Sequence, residues 1–78
     1  MKLSNVPELG LAAMYRIMKK SGAERVSDEA AEELRKVIED LAVRIAHQAV
    51  DLSNHAGRRT IKSGDIQLAA KNLLNAKF

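Results

Sequence analysis

Apolar positions recur at helical spacing in three stretches of the chain. Leu9, Ala13 and Ile17 repeat every fourth residue, with Met14 and Met18 alongside. Pro7 is tolerated in a first helical turn, and Glu8 suits the positive end of the helix dipole. Lys19 and Lys20 fall in the last turn, and Gly22 is a natural stop. This pattern predicts a first helix over about residues 7–20. A second start follows at Ser27, a good N-cap, with Asp28 and Glu29 in the first turn. Leu34, Val37, Ile38, Leu41, Ile45, Ala49 and Leu52 then recur at spacings of three and four, with no Gly or Pro before Gly57. Residues 28–55 are predicted as one helix, roughly 42 Å long at about 1.5 Å per residue. Beyond Gly57, the alternation Thr60, Ile61, Lys62 suits a very short strand. Ser63 is placed to cap a third helix, with Asp65 in its first turn and Ile66, Leu68, Ala69, Leu73 and Leu74 on its apolar side.

The expected class is all-α: short helix, loop, long central helix, loop, short helix. Two short helices cover only part of a long one. The stripe along residues 34–52 is apolar over its whole length, so a lone chain would leave much of it wet. A second copy crossing the long helix would bury it, with Leu34, Val37, Ile38, Leu41, Ile45 and Ala49 as the shared core. An obligate dimer is expected, its folding coupled to association.

Composition sharpens that expectation. At 78 residues the chain is short for a self-sufficient core. It has no cysteine, which removes disulfides and thiolate metal sites as reinforcement. There is no Trp, and Tyr15 and Phe78 are the only aromatic residues. No apolar run approaches the ~20 residues of a membrane span. Lys2 is not followed by a long apolar stretch with a cleavage signature, so no signal peptide is read.

The net charge of +3 is unevenly spread. Residues 1–23 carry +3, residues 24–51 carry −4 and residues 52–78 carry +4. Both loops are basic at their ends: Gly22-Ala-Glu-Arg25-Val-Ser27 and Gly57-Arg58-Arg59-Thr60-Ile61-Lys62. Arg offers forked donors to phosphate, and Thr and backbone N–H groups add neutral ones. In an antiparallel pair of long helices, the second loop of one protomer lies near the first loop of its partner. Arg25 would then stand beside Thr60 and Lys62 at each end of the dimer. With no aromatic stacking platform, such an edge suits duplex DNA better than single strands. The alternative is ordinary solvated charge. Arg58 and Asp65 bracket the second loop, and a buried pair there would fix its shape, leaving Arg59 and Lys62 for phosphate.

The runs GAERVSDEA (22–30) and HAGRRTIKSGDIQLA (55–69) resemble the loops and flanking helices of archaeal histones, over about residues 16–73. The resemblance implies one histone-fold domain over residues 1–78; the ends, 1–6 and 75–78, are expected to fray. It implies handshake dimers, and tetramers or larger assemblies on double-stranded DNA. Arg25 would enter the minor groove, held by Thr60, while Arg16, Lys19, Arg59 and Lys62 would contact phosphate. Arg58 and Asp65 would form the family's loop-fixing salt bridge, and Leu52, His55 and Asp65 would meet a neighbouring dimer. The partner would be a second copy or a paralogous histone, on the chromosome in the cytoplasm. The chain departs from the family at Gly10-Leu-Ala-Ala-Met14, where a proline-containing segment is usual, and at Tyr15.

Rival chemistry finds little support. His47, Asp51 and His55 lie at i, i+4 and i+8, and two turns is too long for one ion to touch both histidines. No metal or cofactor is expected. No nucleophile has an adjacent base and there is no glycine-rich phosphate loop, so an enzyme is not expected. Glu32, Glu33, Glu39 and Asp40 read as an exposed acidic face. The second functional reading is a histone-fold interaction subunit of a transcription-type complex, with weak DNA contact.

Overall fold

The computed structural model describes residues 9–77. They form α1 (Leu11–Lys20), α2 (Asp28–His55) and α3 (Ser63–Lys77), with no strand among the described residues. The fold is all-α, in the expected order of short, long and short helices. No helix among the described residues is long and apolar enough to cross a membrane.

The long helix has the predicted bounds. The Ser27 hydroxyl accepts the Ala30 N–H at 3.0 Å, and the Ser27 carbonyl accepts the Ala31 N–H at 3.1 Å, so Ser27 is the N-cap. Asp28 and Glu29 follow in the first turn, where negative charge suits the helix dipole.

α1 and α2 end by the same device. At the end of α1, the Gly22 N–H reaches the Lys19 carbonyl at 3.0 Å and the Ala23 N–H reaches Met18 at 3.1 Å. At the end of α2, the Gly57 N–H reaches Asn54 at 2.9 Å and the Arg58 N–H reaches Ser53 at 3.0 Å. Gly22 (φ 108°) and Gly57 (φ 74°) both occupy the left-handed region that this double closure requires. Each basic loop therefore opens on a glycine that turns the chain sharply out of its helix.

Four expectations change. α1 begins at Leu11, because Gly10 is extended (φ −83°, ψ 151°) and the Leu9 N–H is taken by the Glu39 carboxylate at 2.7 Å. Leu9 is therefore outside the helix, while Pro7, Glu8 and residues 1–6 lie outside the described residues. α3 continues through Lys77 where fraying was expected from residue 75, because no Gly or Pro follows Gly64 to stop it. Phe78 is outside the described residues. Residues 60–62 are not a strand: the Thr60 carbonyl is taken by side chains, leaving no ladder to form. Finally, α3 is capped at Lys62 and not at Ser63. The Lys62 carbonyl accepts the Ile66 N–H at 3.3 Å, and the Asp65 carboxylate reaches back to the Lys62 N–H at 2.8 Å.

Packing falls into two halves, Met1–Leu41 and Ala42–Phe78, divided within α2. In the first half the buried apolar residues are Met14 and Ala31; in the second they are Ala49 and Ala69. Ala49 and Ser53 lie one turn apart on α2, as do Asp65 and Ala69 on α3, and all four are buried. These are small cores. Leu34, Ile38, Leu41 and Ile45 are only half-buried, and Val37 is 53% exposed. Ala49, expected to face a second chain, is already fully buried within the single chain.

Candidate nucleic-acid interface

The first basic loop follows the glycine turn at the end of α1. The Lys19 ammonium donates to the Glu24 carbonyl at 2.6 Å, drawing the loop back over the helix it has just left. An ammonium has three donors, so this bond leaves two for an anion. The Ser21 hydroxyl donates to the Ile17 carbonyl at 2.9 Å. Arg16, Lys19 and Arg25 are all exposed. The loop ends at the Ser27 cap, whose hydroxyl takes the Ala30 N–H at the start of α2.

Tyr15 adds a tie that sequence reasoning missed. Its hydroxyl donates to the Asp28 carboxylate, joining α1 to the first turn of α2 across the loop. Asp28 as hydrogen-bond acceptor, followed by desolvation and the charges of Asp28, Glu32 and Glu29, holds the phenol above its usual value of 10.0. The two residues are 13 apart, outside any helical repeat that would flag them.

The second loop is built around Arg58 and Asp65. The guanidinium meets the carboxylate with both forks, Nη1 to Oδ2 and Nη2 to Oδ1, each at 2.9 Å. Nη1 also donates to the Thr60 carbonyl at 2.8 Å. With the Lys62 N–H bound to Oδ2, Asp65 has three of its roughly four acceptor positions filled. Asp65 is 7% exposed, while Arg59, Thr60 and Lys62 present their side chains to solvent. His55 is exposed in the last turn of α2, and Leu52 is half-buried. Arg25 and Thr60 are expected to meet across two chains; in the single chain the first loop is part of one half and the second loop part of the other.

Ser53 is the other residue the sequence did not point to. It is 2% exposed, and its hydroxyl lies 3.1 Å from the Arg58 carbonyl and 3.0 Å from that of Thr60. The available signal was its place one turn after Ala49 and four residues before Gly57. Among the described residues every buried side-chain nitrogen or oxygen has a hydrogen-bond partner. No group of three or more His, Asp or Glu among them is arranged to hold a metal ion.

The loop pair makes stability depend on acid. Hydrogen bonding from Arg58, then from the Lys62 N–H, lowers Asp65 from 3.8 to about 2. A carboxylate depressed on folding stabilises the chain above its unfolded value, and that contribution is lost as pH falls through the folded value. The thermal midpoint should therefore fall between about pH 4 and pH 2. The Asp65→Asn variant, measured by circular dichroism, should have a flatter profile in that window. Equal slopes in the two proteins would assign the acid loss to other groups.

Comparison with known proteins places these features in a family. The family model for histone-like transcription factors (CBF/NF-Y) and archaeal histones matches residues 7–70. The chain is 42% identical over 64 residues to one of the subunits of the archaeal histone HAN1 from Thermococcus zilligii, covering 82% of this chain and 96% of the relative. It is equally similar, with the same coverage, to "Probable archaeal histone 3" from Methanocaldococcus jannaschii. It is 32% identical over 59 residues to histone H4 from Dictyostelium discoideum, covering 76% of this chain and 55% of that protein. On the match across residues 7–70 and these identities, the chain belongs to the family of histone-like transcription factors (CBF/NF-Y) and archaeal histones.

Proposed function

We propose that the protein is a sequence-tolerant, double-stranded DNA-binding architectural protein that wraps, bends or compacts the chromosome. The observation that carries this reading is the family match, which spans both basic loops and all six candidate DNA contacts. The matched relatives from Thermococcus and Methanocaldococcus are themselves named archaeal histones.

The working unit is a dimer in the handshake arrangement of the fold. The half-buried Leu34, Ile38, Leu41 and Ile45, and the exposed Val37, support it, since each has apolar area left for a second chain to cover. The partner is a second copy or a paralogous histone. In the antiparallel dimer, Arg25 of one protomer enters the minor groove beside Thr60 of its partner. Arg16, Lys19, Arg59 and Lys62 take phosphates on either side. Leu52, His55 and the remaining acceptor position of Asp65 serve contact between dimers. Catalysis has no part in this function, and its place is the chromosome.

Titration of random-sequence duplex against salt tests this reading. Affinity should fall with a log–log slope of about −0.9 per neutralised phosphate, with little change between sequences. The loops carry few groups suited to reading base edges, so backbone charge and DNA bendability dominate. A dimer that fails to bind duplex at low salt would instead be a protein-interaction module.

A further inference from the structure

We infer that Ser53 is a positioning residue for DNA binding: its buried hydroxyl holds the inner side of the second loop so that Arg59, Thr60 and Lys62 face outward together. The inference rests on the DNA-binding reading above. Ser53 acts on the loop twice. Its carbonyl accepts the Arg58 N–H at 3.0 Å as part of the glycine turn. Its hydroxyl then reaches the carbonyls of Arg58 at 3.1 Å and Thr60 at 3.0 Å, sharing one hydrogen between them. Loop carbonyls at 58 and 60 are thereby drawn toward α2, and the side chains of Arg59, Thr60 and Lys62 are left exposed. The Arg58–Asp65 pair grips the same loop from the α3 side and shares the Thr60 carbonyl with Ser53. Two side chains, Ser53 from α2 and Arg58 braced by Asp65 of α3, thus converge on one backbone atom.

A serine that merely fills space would be replaced by alanine without consequence for ligand binding. Alanine is the smaller residue and the better helix former, so Ser53→Ala leaves α2 intact and removes only the hydroxyl. The Arg58 carbonyl then loses its Ser53 partner in a part-buried site.

The test compares the full-length wild type, S53A and S53T as duplex DNA is titrated across a salt series. Backbone hydrogen exchange at Arg58 and Lys62 is followed in parallel. S53A should bind about three- to tenfold more weakly, the size expected for one missing hydrogen bond. Its salt slope should be shallower by about 0.9 for each phosphate that it no longer neutralises. Helix content should be unchanged, and S53T, which restores the hydroxyl, should recover both affinity and slope. S53A binding with wild-type affinity and slope overturns the inference. So does an S53T protein that folds like the parent yet binds as weakly as S53A. A wild-type chain that does not bind duplex removes the DNA-binding reading itself. Exchange then decides the loop-holding role: faster exchange at Arg58 and Lys62 in S53A, with α3 unchanged, supports it, and unchanged exchange overturns it.

Discussion

Val37→Asp is expected to abolish the dimer and, with it, most of the helix content at micromolar concentration. In the isolated chain this substitution should be nearly harmless. Val37 is 53% exposed there, and valine and aspartate have similar helix propensities. Beneath a second chain the same position would hold an unpaired carboxylate in an apolar seam, at a cost of roughly 3–5 kcal/mol. That is a large fraction of the stability of any small domain. Sedimentation equilibrium and circular dichroism read the two effects together. The wild type should sediment as a dimer, with a thermal midpoint that rises with protein concentration. A V37D protein that remains a folded dimer would mean that this face of α2 is left uncovered.

Arg25→Ala is expected to weaken duplex binding about a hundredfold on every sequence while leaving the dimer folded. A hydrogen bond to a charged group contributes roughly 1.5–3 kcal/mol, and each 1.4 kcal/mol is tenfold. A dimer presents two copies, so tenfold per copy is the conservative figure. The fold should not notice the change. Arg25 is exposed, the turn before it is closed by backbone groups of residues 18–23, and the helix after it is capped by Ser27. Gel shift and circular dichroism on the same samples separate the outcomes. Loss of helicity would show Arg25 to be structural, and unchanged affinity would remove it from the DNA-facing edge.

The parts of the fold that were legible in the sequence are those fixed by neighbours a few residues apart. α2 is legible to its bounds because Ser27, the apolar repeat and Gly57 all act locally. The Arg58–Asp65 pairing is also within reach, since seven residues of loop and first turn bring both groups to one place. The start of α1 is not legible. Pro7 and Glu8 are acceptable helix starters, but the Leu9 N–H is bound by Glu39, 30 residues away. The cap of α3 falls one residue earlier than its sequence suggests because Ser63 is the better capping type, whereas Asp65 closes on the backbone of Lys62 whatever its side chain. Ser53 and the bond from Tyr15 to Asp28 escape notice for related reasons. A hydroxyl inside a helix carries no periodic signal, and its partners are settled only when the loop folds back.

The two glycine turns also bear on how such a molecule changes over time. Each basic loop takes its departure from backbone N–H and carbonyl groups, and the second is held on its inner side by Ser53, Arg58 and Asp65. The outward side chains at Glu24, Arg25 and Arg59 take no part in those closures. Apart from Lys19, whose exposed ammonium also ties down the first loop, shape and surface are thus specified by separate sets of residues. Grip on a nucleic acid can drift upward or downward by exchange of the outer set, while folding remains under the control of the inner one.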